Sequence, residues 1–314
     1  MKYIVTGGAG FIGSNLVDFL IKKGHNVEVI DNFCSGKKEN CNSNVIYHKL
    51  DITNLSSTKF FIKIMSKADG VFHAAALPRV QESIEEPVIY ENNNTIGTLN
   101  MLKCASDANV KKFVYSASSA VYGNKVNMPC KETDRINPMS PYALQKYYGE
   151  LQAELFSNLY NIETVSLRYF NVYGERQNVN GAYAAVMGIF AYQKINNLPM
   201  TIRGDGNQSR DFTYVGDVVR ANYAAMNSTK VGNGEVINIG SGTELSVNQI
   251  ADMIDGEKIY VDPVIEPRRS LASITKAKEL LDWKPETKIE DWIPIYKKSL
   301  GIWLKKKWKI RQYY

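Results

Sequence analysis

This chain of 314 residues predicts an α/β fold on a doubly wound parallel sheet, and three observations carry the prediction. A β-branched apolar run at residues 2 to 6 breaks directly into Gly7, Gly10 and Gly13, and then into a helical pattern through Leu16, Phe19 and Leu20. Strand and helix patterns continue to alternate as far as about residue 170. The second strand, Val27 to Ile30, ends in a carboxylate, Asp31.

Each element can be justified in turn. Glycines spaced three apart allow a tight turn, bring backbone N–H groups close to a pyrophosphate, and let the helix opening at Phe11 and Ile12 point its N-terminus at the anion. The arrangement is that of a Rossmann-type dinucleotide site. A carboxylate at Asp31 can accept both hydroxyls of an adenosine ribose and repels a 2′-phosphate, which favours NAD over NADP. It also fits an ordinary strand-end acid. A third strand, Val45 to Leu50, runs into Asp51 and Ile52, and a helix is predicted from Leu55 to Ser66. The strand from Gly70 ends in Ala74, Ala75 and Ala76, small enough to leave room for a ligand at the sheet's carboxyl edge. His73 reads as a packed strand residue, because no second ligand lies at metal spacing, and no metal is predicted. After a helix through Asn100 to Ser106, the strand Phe113 to Tyr115 enters a run holding Ser116, Ser118 and Ser119, whose hydroxyls would project into the same crevice. Thr164 to Arg168 is the next strand.

Between these last two strands stands Ser140-Pro141-Tyr142-Ala143-Leu144-Gln145-Lys146. Ser140 suits an N-cap and Pro141 the first helical position, so Tyr142 and Lys146 fall one turn apart on one face. Using a phenol as a base at neutral pH requires roughly 3 pH units, or about 4 kcal/mol, of preference for the phenolate. One positive charge at about 4 Å supplies that much at an effective dielectric of ~20. Of the 19 tyrosines only Tyr142 has a lysine four residues on. A plain surface helix would also carry such a pair, so the pair gains its meaning from the rest of the chain.

Beyond residue 170 the alternation breaks. Asn171 to Gly181 is polar and loop-like, Asp205 to Asp211 is rich in turn residues, and a strand follows at Phe212 to Tyr214. Helical patterns return at Val215 to Met226, Val247 to Ile254, Ile274 to Leu281 and Ile289 to Leu304. Residues 1–170 are expected to form the cofactor domain, with segments near 211–240 returning to it, and residues 171–314 mainly a smaller α/β substrate lobe. No stretch approaches the ~20 apolar residues of a membrane span, and the chain opens on a strand rather than a signal peptide, so a cytoplasmic location is expected. Cys34, Cys41, Cys104 and Cys130 are scattered and predict free thiols. The net charge of +6 is modest for this size and partly local to the tail Leu304 to Arg311, which reads as a solvated end and also suits a membrane surface or nucleic acid. No nucleic-acid partner is predicted.

With the glycine turn, Asp31, the serine-rich strand end and Tyr142/Lys146 in chain order, the sequence resembles the extended short-chain dehydrogenases/reductases over nearly its whole length. Thr6 to Gly13, Arg168 to Gly174, and Gly204-Asp205-Gly206 leading to Arg210-Asp211-Phe212 resemble the nucleotide-sugar branch. That resemblance implies Tyr142 as acid/base, Lys146 as the group that lowers its pKa and holds the nicotinamide ribose, and Ser118 as the third catalytic hydroxyl, with Ser119 its rival. It implies Gly7, Gly10, Phe11, Ile12 and Gly13 at the pyrophosphate, Asp31 and Asn32 at the adenosine ribose, Asp51 and Ile52 at the adenine, and Ala74 to Ala76 beside NAD. It places Asn171 and Arg210 at the diphosphate of a nucleotide sugar, with Gln177, Ala185, Arg203 and Arg268 in the same substrate site. A homodimer packed through the helix beginning near Pro141 is a further implication.

Related dehydratases carry an acidic pair just after the catalytic hydroxyl, and decarboxylases a Glu; here Ser119 and Ala120 stand there. Elimination is therefore disfavoured, and reversible oxidation at C4 is the reaction implied. The stretch 177–186 resembles epimerases acting on N-acetylated UDP-hexoses, and Ser270 leaves space for a 2-acetamido group that a tyrosine would fill. The expected reaction is interconversion of UDP-GlcNAc and UDP-GalNAc, with UDP-Glc and UDP-Gal as further substrates. Two departures stand against it. Pro263 to Glu266 replaces the segment that usually brings a second diphosphate arginine, for which Arg268 is a substitute, and Arg79 puts a cation in the sugar loop. These leave open a uronate epimerase, a nucleotide-sugar reductase or a non-catalytic NAD-binding regulator.

Overall fold

The computed structural model describes residues 1–177, 186–263 and 266–301. The first half alternates as its sequence predicts: β1 (Lys2–Thr6), α1 (Phe11–Lys22), β2 (Asn26–Asp31), β3 (Ile46–Lys49), α2 (Thr58–Met65) and β4 (Gly70–His73). Then come α3 (Val80–Glu85), α4 (Pro87–Glu91), α5 (Gly97–Asp107), β5 (Lys112–Ser118), α6 (Pro141–Leu159) and β6 (Glu163–Tyr169). The second half adds β7 (Val172–Tyr173), α7 (Val186–Ile195), β8 (Met200–Arg203), β9 (Ser209–Arg210), β10 (Thr213–Tyr214), α8 (Val215–Asn227) and β11 (Asn233–Ile239). It closes with β12 (Leu245–Ser246), α9 (Val247–Ile254), β13 (Lys258–Val261), β14 (Arg269–Ser270), α10 (Thr275–Leu281) and α11 (Ile289–Ser299).

Seven strands pair in the order β11-β6-β5-β4-β1-β2-β3, all parallel. The order reverses between β1 and β4, so a crevice opens at their carboxyl ends. These strands are nearly continuously apolar because helices cover both faces. Tyr3 and Val5 of β1 enter one core with Leu16 and Leu20 of α1 and Val218 of α8. Ile4 enters the other core, with Phe61 of α2, Met101 of α5 and Phe156 of α6. Successive side chains of a strand point to opposite faces, and here both faces meet apolar helix surfaces. A third core forms where α7, α9 and α11 surround β8, through Phe190, Ile202, Ile254 and Trp292.

The structure changes some expected boundaries. Ala74 to Ala76 leave the sheet after His73, and the helix expected from Leu55 begins as a 3-10 turn, Leu55–Ser57, before α2. Between α4 and α5 lies a π turn, Asn92–Ile96. Helices α3, α4 and α7 and strands β8 and β13 had no distinct signal in the sequence. Leu304 and the basic tail, Ala185 with the rest of 178–185, and Val264 and Ile265 lie outside the described residues. Among the described residues, no helix is long and apolar enough to cross a membrane.

Candidate active site

The crevice between β1 and β4 is lined by the glycine turn. Gly7 has φ +70°, and a Cβ there would stand 2.7 Å from the Ala75 amide nitrogen; at Gly13 it would stand 2.1 Å from the Gly7 carbonyl oxygen. No side chain fits at either point. Phe11 and Ile12 open α1, whose first N–H groups have no intrahelical acceptor. The buried Asp31 braces this turn: its Oδ2 accepts from the Ala9 N–H at 2.9 Å and its Oδ1 from the Phe33 N–H at 2.7 Å. Each oxygen keeps a second lone pair. Asn32 donates to Asp51 at 2.8 Å, and Thr53 donates to the same carboxylate through its amide and hydroxyl. Burial works against the charge of Asp51, but the bonds from Asn32 and Thr53 outweigh it and hold the carboxyl below its usual range. Ile52 is buried against Gly97, and the Ala74 and Ala75 amides bond Thr6. A backbone cradle closed to any Cβ, a helix N-terminus and a strand-end carboxylate together fit a dinucleotide.

Helix α6 carries the central pair. The Ser140 hydroxyl accepts the Ala143 N–H at 3.2 Å and Pro141 takes the first turn. Tyr142, Lys146, Gly149, Glu150 and Ala153 form its buried face, which packs on β5 and β6. The Tyr142 N–H is accepted by the Ser83 hydroxyl of α3 at 3.1 Å. Burial pushes the Tyr142 phenol above its ordinary value, and a hydrogen bond from the Ser118 hydroxyl counters it. Ser118 ends β5 with its oxygen accepting the Ala120 N–H at 3.2 Å, and Ser119 opens the following turn. Lys146 Nζ donates to the Ser116 carbonyl at 2.8 Å and lies 5.0 Å from the centre of the Tyr115 ring. Burial pulls the ammonium down to about 8, with Glu150 opposing the shift. The expectation that Lys146 by itself lowers the Tyr142 phenol is thus corrected. In the protein alone the phenol stands raised, and the ammonium bonds a carbonyl.

Behind Lys146, Glu150 receives a bidentate Arg168 at 2.8 and 2.7 Å, and Arg168 also donates to the Tyr122 hydroxyl, which donates to Asn238. Both members of the pair are 3 % exposed or less. A carboxylate and guanidinium so buried stay together because either alone would be an uncompensated charge.

The expected substrate residues divide into groups. Asn171, Arg210 and Ser270 come together: β14 pairs β9 with Ser270 beside Arg210, and the Asn171 amide lies 3.4 Å from the Ser270 hydroxyl. Arg210 faces Glu266 at 2.7 Å. Arg268 makes a bidentate pair with Asp205 at 2.8 and 2.7 Å, which holds that carboxyl far below its usual range. Arg203 ends β8 exposed, its carbonyl accepting from Gln208. Gln177 closes a turn onto Gly174. Arg79 precedes α3 in the loop after β4, paired with Glu82, which also accepts from the Tyr90 hydroxyl at 2.9 Å. The sequence reading missed Ser83 beneath Tyr142, and Asn94, whose amide bonds Leu77 and Gln145. It also missed the tie between Glu150 and Arg168, though Glu150 lies one further turn from Lys146 on the face already singled out.

A family model described as "NAD dependent epimerase/dehydratase family" matches residues 3–240. The structure of a UDP-glucose 4-epimerase with UDP-glucose from Thermotoga maritima is similar at TM-score 0.89 and 38 % identity, over 96 % of this chain and 100 % of that one. A UDP-N-acetylglucosamine 4-epimerase from Methanobrevibacter ruminantium, in complex with UDP-N-acetylmuramic acid, is similar at TM-score 0.88 and 37 % identity, over 96 % and 97 % of the two chains. A UDP-glucuronate 4-epimerase from Thermodesulfobacterium geofontis is 34 % identical over 310 residues, 92 % of this chain and 93 % of its own length.

Proposed function

This chain belongs to the NAD dependent epimerase/dehydratase family, and from that premise we propose that it interconverts the C4 epimers of a UDP-hexose with NAD as cofactor. The observation that carries the reading is Ser118, Tyr142 and Lys146 at the mouth of the glycine-turn crevice, followed by Ser119 and Ala120 in place of a further acid. When bound, NAD supplies a hydride acceptor at the sugar carbon and a positive ring charge that favours the phenolate. Tyr142 takes the 4-hydroxyl proton while Ser118 hydrogen-bonds the reacting oxygen. Lys146 holds the nicotinamide ribose and adds its charge to the site. The 4-ketosugar turns over, hydride returns to its other face, and Tyr142 gives back the proton. Proton and hydride both return, so no third acid or base is needed.

The glycines, Phe11, Ile12, Asp31, Asn32, Asp51, Ile52 and Ala74 to Ala76 hold the cofactor, and Arg210 with Asn171 the diphosphate. Arg203, Arg268 and Gln177 border the same end of the substrate. A serine at 270 supports UDP-GlcNAc and UDP-GalNAc as the preferred pair, with UDP-Glc and UDP-Gal also turned over. A uronate substrate is the second reading, favoured by the cation of Arg79 in the loop after β4. The test incubates purified protein with a panel of UDP-, GDP- and dTDP-sugars and no added cofactor. Turnover of UDP-GlcNAc without net NADH use is expected, and Ser270→Tyr should suppress it while sparing UDP-Glc. Turnover of UDP-Glc alone, with UDP-GlcNAc inert, overturns the choice of sugar. Exclusive turnover of UDP-glucuronate favours the second reading.

A further inference from the structure

Asp211 follows Arg210 directly, is fully buried, and has no part in the proton and hydride chemistry. Its carboxylate accepts four hydrogen bonds from two distant segments. Oδ1 accepts the Ser241 N–H at 2.6 Å and the Ser241 hydroxyl at 2.7 Å; Oδ2 accepts the Gly242 and Ala272 N–H groups, each at 3.0 Å. The main chain of the same residue extends the tie. Its N–H donates to the Ser270 carbonyl at 2.6 Å, and its carbonyl accepts the Asn171 amide at 3.0 Å. One residue therefore joins the corner after β6, the β9 and β14 pair and the loop after β11. The packing around it is close: a Cβ at Gly240 would stand 2.7 Å from Oδ2. Burial alone would push this carboxyl above its usual value, to about 6, and the four donors oppose that push.

We propose that Asp211 is a positioning residue for the nucleotide diphosphate, holding Arg210, Asn171 and Ser270 in one register before the substrate arrives. The inference rests on the substrate site proposed above. All three side chains hang on short two-residue strands or a corner with few hydrogen bonds of their own, and the four bonds at Asp211 replace the stiffness a longer sheet would supply. An asparagine at 211 keeps one acceptor oxygen but turns an NH2 toward two N–H groups, so the tie to Gly242 and Ala272, or that to Ser241, is lost.

The experiment compares the full chain with Asp211→Asn by calorimetric titration with UDP, by steady-state kinetics on UDP-GlcNAc, by NAD content and by melting. UDP affinity is expected to fall and KM to rise roughly tenfold or more, with kcat within about twofold and bound NAD unchanged. Ser241→Ala removes a single donor and should move KM the same way by a smaller factor, which keeps the test open if Asp211→Asn fails to fold. Unchanged UDP affinity in the folded variants, or a loss of melting temperature and active fraction at constant KM, overturns the proposal. Arg210→Ala separates the premises. If it binds UDP as tightly as wild type, the assignment of the substrate site fails; if it binds weakly while Asp211→Asn binds normally, only the role of Asp211 fails.

Discussion

Gly149→Ala should destabilise this protein although it improves the helix propensity of α6. Propensity alone favours alanine over glycine in a helix interior by about 1 kcal/mol. The space is missing, however: a Cβ at 149 would stand 2.2, 2.3 and 2.7 Å from Oη, Cζ and Cε1 of Tyr115. Reaching the 3.4 Å of ordinary contact from 2.2 Å requires a shift of about 1.2 Å. The Tyr115 ring is fully buried and stacked on His73, so the shift falls on α6 as much as on the ring. Overpacking of this kind costs roughly 1–3 kcal/mol, occasionally more, and three atoms within 3 Å place it at the upper end. After the propensity gain, a net loss of about 2 kcal/mol is expected. Because α6 carries Tyr142 and Lys146, kcat should fall as well, by about tenfold or more. Urea unfolding measures the first quantity and steady-state turnover the second. A variant more stable than wild type by about 1 kcal/mol with unchanged kcat would show that propensity, not packing against Tyr115, governs this position.

Three further outcomes can be checked. Tyr142→Phe should lower turnover by about 10²–10⁴-fold while UDP binding and NAD content, read by calorimetry and absorbance, stay unchanged. Lys146 titrates at about 8 in the fold and at 10.5 when free, so between those values the unfolded chain holds a proton the folded chain has lost. Stability from this group therefore grows as pH rises through that window, and its burial cost is full below it. Relative to Lys146→Met, cofactor-free wild type should gain on the order of 3 kcal/mol between pH 7 and 10, the scale set by 10.5 less about 8; parallel stability curves would refute this. Val88, Ile89, Leu144, Leu151 and Leu155 of α4 and α6 are all exposed, an apolar strip that we expect a second copy to cover. Leu151→Glu with Leu155→Glu should then sediment as a monomer, and an unchanged sedimentation coefficient would exclude this face.

What was legible in the sequence was local. The glycine turn, Asp31 and the Ser140 to Lys146 helix start each depend on residues within a few positions, and each stands where its chemistry places it. The same holds for α8, α9 and α10, whose apolar spacing matches the faces they bury. What was illegible depends on closure over distance. The donors to Asp211 lie 30, 31 and 61 residues away, and no spacing rule joins them. The direction of the Lys146 ammonium is another such case. Position fixes its face of the helix, but the Ser116 carbonyl, 30 residues earlier, decides where the charge rests. Helices α3 and α4 are too short to show a period, and β8 and β13 form a two-stranded ribbon with one exposed side. Arg79 was visible as a cation, whereas its pairing with Glu82 depends on the turn into α3.

The pairing of Arg210 with Glu266 and of Arg268 with Asp205 bears on how fast a nucleotide sugar is captured. Each guanidinium faces a carboxylate, so an approaching dianion beyond the Debye length of about 10 Å in 0.1 M salt meets two dipoles rather than two charges. Long-range attraction is weak there, and the arginines act on the diphosphate only once it is close enough to compete with the carboxylates. Association should then vary little with ionic strength despite the net charge of +6. Selection for the nucleotide is exercised in the dissociation step, after contact has been made.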